Sequence, residues 1–382
     1  MMQVSYIESL ASLNAQAWNA LQGTDNPFLR HEFLLALEQQ QCLQPYGWQP
    51  IHVAIHDENN QLIGALPLYI KNNSYGEFVF DWAWASAYER VLGQDYYPKL
   101  VSAIPYTPVT SQQLLVAPDV DYNTIAALLS KSALELAQQL KVSSLHYLFT
   151  NPQDTDFLSN QNQQFMLRAG YQFHWQNQNY RDFQDYLEQF VSKKRKQIRK
   201  ERREAQNTGL EIEVLNGHTA TAEHWQIFYD FYASTFDRKS GVPTLTLDFF
   251  HTLSQTMPDN IVLVMANQSG DYVAGAFNLC NETTLYGRHW GCKQQFKQLH
   301  FELCYYQTLD FCIQNKLQLF EAGAQGQHKL SRGFLPKLTW SAHWIADDAF
   351  KLMVQRFLQH EIPLIEQDVA ELNKHTPFKT AI

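Results

Sequence analysis

The sequence predicts an α+β protein made of two similar modules in tandem, each with a central sheet flanked by helices. Three observations predict it. The order helices, β meander, long helix, strand occurs twice along the chain. With 382 residues and 45% hydrophobic content there is enough chain and apolar surface for two cores. Charged residues make up only 18%, which argues against wholesale disorder. The modules are expected at 1–180 and 181–382, the second beginning with a basic helix.

In the first module, "VSYI" reads as a strand. Asn26-Pro27 reads as a helix start, a capping side chain followed by a first-turn proline, and "FLRHEFLLALEQQ" carries apolar residues at helical spacing. "WQPIHVAIHDENNQLIGALPLYIK" is a hairpin around the polar turn Asp57–Asn60. An aromatic stretch follows, in which Trp82, Trp84, Tyr88, Tyr96, Tyr97 and Tyr106 are candidates to line a groove. Then come a helix near Tyr122–Leu140, a buried strand "SSLHYLF", a short helix near Asn160–Ala169 ending at Gly170, and the strand "YQFHWQNQNY".

The second module opens with "SKKRKQIRKERREAQNTG". Eight Lys/Arg fall within Lys193–Arg203; the window Lys193–Glu204 sums to +6, leaving −15 for the rest of a chain of net charge −9. Arg195, Arg199 and Arg202 share a helical face and are candidates to hold an anion together. Three readings stand side by side: a solvated helix whose cations meet acidic patches of the same protein, a site for a small anionic molecule, or a surface for a tRNA-like partner. After it come the strand "LEIEVLNG", two helices, three strands with turns at Ser269-Gly270 and Asn281-Glu282, the amphipathic helix "LHFELCYYQTLDFCIQNKL", and the strand "QLFEAGAQG".

The densest polar constellation lies in "LYGRHWGC" and "EAGAQGQHKLSRGF", with the amphipathic helix between them. Polar groups at the ends of neighbouring strands converge on one edge of a sheet. Glu321, His328 and Glu302 are the candidate catalytic residues. Arg288, His289, Trp290, Tyr305, Lys329 and Arg332 join Arg195, Arg199 and Arg202 as candidate substrate-binding residues. Acyl transfer to an amine needs a base for the amine proton and donors for the oxyanion, and these residue types supply both.

The five cysteines form no CxxC pair, so no disulfide framework or metal knuckle is expected. No P-loop, GxGxxG or GxSxG motif appears. With no signal-like start and no long apolar run, a cytoplasmic protein without a membrane span is expected.

Nine segments, from "NPFLRHEFLLALE" through "GALPLYIK", "KRKQIRKERR" and "LYGRHWGC" to "EAGAQGQHKLSRGF", resemble the Fem-like predicted N-acyltransferases, relatives of the Fem aminoacyltransferases of peptidoglycan synthesis. The resemblance implies two tandem GNAT-like (acyl-CoA N-acyltransferase) domains. It also implies an N-acyltransferase that moves an acyl or aminoacyl group from an activated donor to an amine, with a peptidoglycan precursor as one acceptor. The donor would be acyl-CoA or aminoacyl-tRNA, with no tightly bound cofactor, no metal and no DNA partner. "GCKQQFKQLHFEL" lacks the Gly-rich pyrophosphate loop of acetyl-CoA enzymes, which shifts weight toward aminoacyl-tRNA. The alternatives are a non-catalytic pair of such domains that binds an anionic ligand or RNA, and a small-molecule N-acetyltransferase fed by acetyl- or acyl-CoA.

Overall fold

The computed structural model describes residues 2–161, 164–237, 241–294, 296–324 and 326–379. Two compact units make up the chain. The first is 1–171 with 338–368, and the second is 172–337 with 369–382.

In the first unit, β1 (Gln3–Ile7), β3 (His52–His56), β4 (Leu62–Leu66) and the short β7 (Leu115–Val116) form an antiparallel sheet. The expected hairpin is β3–β4, with Ala54 opposite Ala65. A second set of strands is mixed. β2 (Trp48–Pro50) and β5 (Tyr69–Lys71) run antiparallel, as do β5 and β6 (Lys99–Ser102), whereas β8 (Ser144–Thr150) lies parallel to β6. The parallel pair requires a crossover, and the helix Tyr122–Gln139 supplies it. Asp121 caps this helix through the Thr124 N–H, and its Ile125, Leu129 and Ala133 are buried with Val53, Leu66, Leu100 and Leu145.

Residues 338–368, placed in the second module from sequence, complete the first unit. Trp344 and Ile345 pair with Leu145 and Ser144 of β8. The following helix buries Phe350, Val354 and Leu358 against Trp84, Tyr88 and Tyr96. Those three aromatics are therefore core, while Trp82 is 49% exposed. The helix expected near Asn160–Ala169 is corrected. Asn151-Pro152 starts a helix earlier, at Pro152–Ser159, with the Asn151 side chain accepting from the Asp154 N–H. The strand β9 (Met166–Gln176) then runs through Gly170, and Asn162 and Gln163 of that stretch lie outside the described residues.

This unit also buries a charged network. Lys99 Nζ lies 2.7 Å from Glu77 and 2.6 Å from Asp81, and Tyr96 donates to Asp81 at 2.9 Å. The ring nitrogens His146 Nδ1 and His343 Nδ1 stand 2.6 Å apart, so one proton serves both.

The second unit is an antiparallel meander, β10 (Glu211–Leu215), β11 (Ile261–Gln268), β12 (Asp271–Cys280) and β13 (Thr284–Cys292). The helices Ala222–Asp237 and Leu247–Thr256 pack Trp225, Phe228 and Phe250 against Phe277 of β12. A helical segment from Leu299 to Gln314 then leads to β14 (Leu319–Glu321), parallel to β13. The end of β9 pairs antiparallel with β14, and β15 (Leu335–Ile345) carries the chain back to the first unit.

Candidate active site in the second unit

β13 and β14 pair only from Thr284↔Leu319 to Tyr286↔Glu321, and β13 continues six residues further without that partner. On its other edge the register jumps. Phe277 faces His289 and Asn278 faces Gly287, so Arg288 is an extra, bulged residue. A cavity of about 100 Å3 lies at this fork, lined by Asn278, Arg288, Trp290, His300, Cys304 and Tyr305 among others. Gly287 is on its wall, where a Cβ would stand 3.3 Å from Phe320 and 3.5 Å from Ala322 Cα.

The helical segment beside the fork is not regular. Glu302–Tyr306 form a π-turn, closed by the Gln307 N–H donating to the Glu302 carbonyl. Such a widened turn advances the following side chains around the axis and recurs at functional sites. Cys304 and Tyr305 line the cavity from this turn.

The Tyr305 hydroxyl lies 2.9 Å from His328 Nε2. The His300 ring lies 6.2 Å from His328 and 5.2 Å from Trp290. Burial, reinforced by Arg332 and Lys329, holds His328 below its ordinary pKa. Lys329 is 2% exposed and donates to the Gly323 carbonyl at 2.7 Å; burial brings its pKa down to about 8. Burial lowers Arg288 to about 10, so it remains cationic at neutral pH. His289 is held well below 6.5 by burial and then by Arg288, with its ring against Tyr232 and Phe277.

The other sequence candidates lie elsewhere. Arg332 is buried, 2.8 Å from Glu201, donating to the His328 carbonyl at 2.8 Å and stacked 3.5 Å from the Phe301 ring centre. Glu302 accepts from Arg202 at 3.2 Å and from Gln307 at 2.8 Å, while Arg202 also meets Asp310 at 2.7 Å. Glu321 is buried opposite His174, with His174 Nε2 4.0 Å from its carboxylate. Arg195 is half-buried and Arg199 exposed. Arg202 is turned toward Glu302, Asp310 and the face of Phe183. Lys193, Lys196, Arg199, Lys200 and Arg203 remain exposed.

Asn278, Cys304 and His300 were not among the sequence candidates for the site. His300 and Cys304 are four residues apart, the spacing of one helix face, and that is the signal that points to them. Among the described residues no cluster of three or more His, Cys, Asp or Glu side chains is placed to hold a metal. None of the described helices is long and apolar enough to cross a membrane.

The second unit is thus an antiparallel meander whose last strand forks from a parallel strand reached through a helix. The chain belongs to the FemAB-like family, described as peptidoglycan biosynthesis/recognition, which matches residues 9–380. The fold is that of FemX, at 10% identity and TM-score 0.53 over 92% of this chain and 100% of that one. It is also that of the C-terminal domain of a putative lysylphosphatidylglycerol synthetase from Agrobacterium fabrum, at 9% identity and TM-score 0.53, covering 90% and 94% of the two chains. L-PGS from Bacillus licheniformis is similar at 10% identity and TM-score 0.52, covering 85% and 95%. No curated protein matches the chain. Family and fold together support an acyltransferase-type function.

Proposed function

We propose that the protein is an N-acyltransferase whose reaction centre is the β13/β14 fork. The observation that carries this reading is the bulged, half-buried Arg288 sharing one small cavity with Tyr305, which is itself hydrogen-bonded to His328. The acceptor amine attacks the carbonyl carbon of the activated donor and a C–N bond forms. Arg288 stabilises the oxyanion of the tetrahedral intermediate. The amine proton passes to the Tyr305 oxygen as Tyr305 gives its own to His328 Nε2. The C–O bond of an ester donor, or the C–S bond of a thioester, then breaks, and the leaving alcohol or thiol takes the proton back along the same path. His328 suits this role because its lowered pKa leaves it neutral at neutral pH.

The acceptor is an amine, with a peptidoglycan precursor proposed from the family. For the donor, the five exposed cations of the basic helix favour a polyanion, hence aminoacyl-tRNA over acyl-CoA. Glu302 and Arg332 act in positioning, since each is occupied by an ion pair.

The test is to titrate tRNA, acetyl-CoA and a long-chain acyl-CoA at two salt concentrations, then to follow single-turnover transfer in Tyr305→Phe and His328→Gln. Binding of tRNA should weaken with salt by about 0.7–0.9 in log K per log salt unit for each phosphate neutralised. Both substitutions should slow transfer by roughly 100-fold or more with donor affinity kept. Full turnover in both variants would remove this relay.

A further inference from the structure

A second cavity, of about 420 Å3, opens beside His174. Among the described residues, it shares none of its lining with the fork cavity. Its walls come from elements held in place independently. His174 and Gln176 of β9, and Leu335 and Lys337 of β15, are each two residues apart, so each pair faces one side of its strand. A further wall is the segment Pro377–Lys379. The Val191 N–H donates to the Pro377 carbonyl at 2.9 Å, and the Lys379 N–H to the Gln189 carbonyl at 2.8 Å. Gly333 lines the cavity at φ +86°, where a Cβ would fall 2.1 Å from the Tyr186 hydroxyl, so no larger residue fits.

The chemistry of the lining is specific. Lys337 and Lys379 are exposed and have no carboxylate at ion-pairing distance among the described residues. Among the described residues the one acidic member of the lining, Asp185, already accepts from the Arg181 N–H at 3.1 Å. Gln176, Gln178 and Gln189 present side-chain amides, each able to donate and to accept. His174 is only 8% exposed, and burial with Lys337 and Lys329 nearby brings it to about 4, so it contributes a neutral ring at neutral pH. Two cations beside a set of amides, in a chain of net charge −9, favour a ligand with an anionic head and a hydrogen-bonding body. The volume suits a molecule between an amino acid and a short peptide in size.

We propose that this cavity is a second ligand site, distinct from the acyl-transfer cleft, for a small polar molecule with a carboxylate or phosphate head group held by Lys337 and Lys379. The full chain is titrated with alanyl-alanine and with inorganic phosphate, the histidine ring signals being followed by NMR and the heat by calorimetry. At least one probe should saturate below about 10 mM and move the His174 signals. In Lys337→Gln/Lys379→Gln its affinity should fall at least about tenfold. Both lysines are exposed, so the variant should keep the wild-type melting temperature. Binding should be unchanged in Tyr305→Phe, which alters only the other cavity. The probe that binds more tightly identifies the head group. Failure of both probes to saturate, or equal affinity in the double lysine variant, overturns the proposal.

Discussion

Arg332 is the residue at which a binding role and a structural role make opposite predictions. It is 3% exposed, and its partner Glu201 is 7% exposed. The guanidinium gives one bond to Glu201 at 2.8 Å, one to the His328 carbonyl at 2.8 Å, and lies 3.5 Å from the Phe301 ring centre. Two unit charges at that separation attract by about 6 kcal/mol at an effective dielectric near 20. Arg332→Met removes this attraction and leaves the Glu201 carboxylate buried with only Tyr306 and Gln197 as donors. Part is recovered because methionine needs no hydration, so the net loss should be about 3–5 kcal/mol. For a unit of this size that is about 6–20 °C in melting temperature. Urea and thermal unfolding followed by tryptophan fluorescence measure it. Glu201→Gln in the same chain should return half or more of the loss, because the unpaired charge is gone. A drop below about 2 °C would refute the argument; Arg332 would then be available to a ligand, and donor affinity should fall in its place.

Other expectations follow from the same geometry. In the first unit, burial raises Glu77 to about 7, while Lys99 and His146 hold Asp81 near 2 against the opposing effect of its own burial. Glu77 binds its proton more tightly folded than unfolded, so its contribution to stability declines as pH rises from about 4.5 to 7; that of Asp81 is present above about 3.8 and is lost as pH falls toward 2. Denaturant midpoints measured from pH 2 to 8 should therefore peak in between, and Lys99→Met should cost about 3–5 kcal/mol at pH 7 and less at pH 4. Arg195→Glu/Arg199→Glu should leave the melting temperature within about 2 °C and weaken tRNA binding with a shallower salt dependence, as read by filter retention at two salt concentrations.

The local signals in the sequence were strong where the structure is local. Ser269-Gly270 is a tight turn with positive φ at both residues, and it sits between the two strands predicted around it. The helix at Tyr122–Gln139 and the hairpin at β3–β4 were legible for the same reason, as cap, period and turn residues agree. The buried face of the basic helix was harder. Ile198 and Ala205 mark it, but its third member is Glu201, a charge that hydrophobic periodicity passes over. Its counter-ion Arg332 is 131 residues away, and so is any sign that the position is buried. Arg202 follows, since it neighbours that face and turns to Glu302 and Asp310. The fork cavity was half legible. Arg288, Trp290 and Tyr305 were named from strand and helix ends, but the bulge at Arg288 and the π-turn that places Cys304 depend on register, which no motif encodes.

The assignment of residues 338–368 to the first unit bears on how the protein is made. A ribosome delivers the chain from the N-terminus, and the first 171 residues emerge without the strand that pairs with β8 and without the helix that covers Trp84 and Tyr88. The intervening 166 residues, 172–337, take about 10–30 s to synthesise. Through that interval β8 presents an unpaired edge and the aromatic cluster an uncovered face, which are the surfaces that chaperones recognise and that aggregation exploits. The N-terminal half of this protein thus finishes folding only after nearly all of the second unit has left the ribosome.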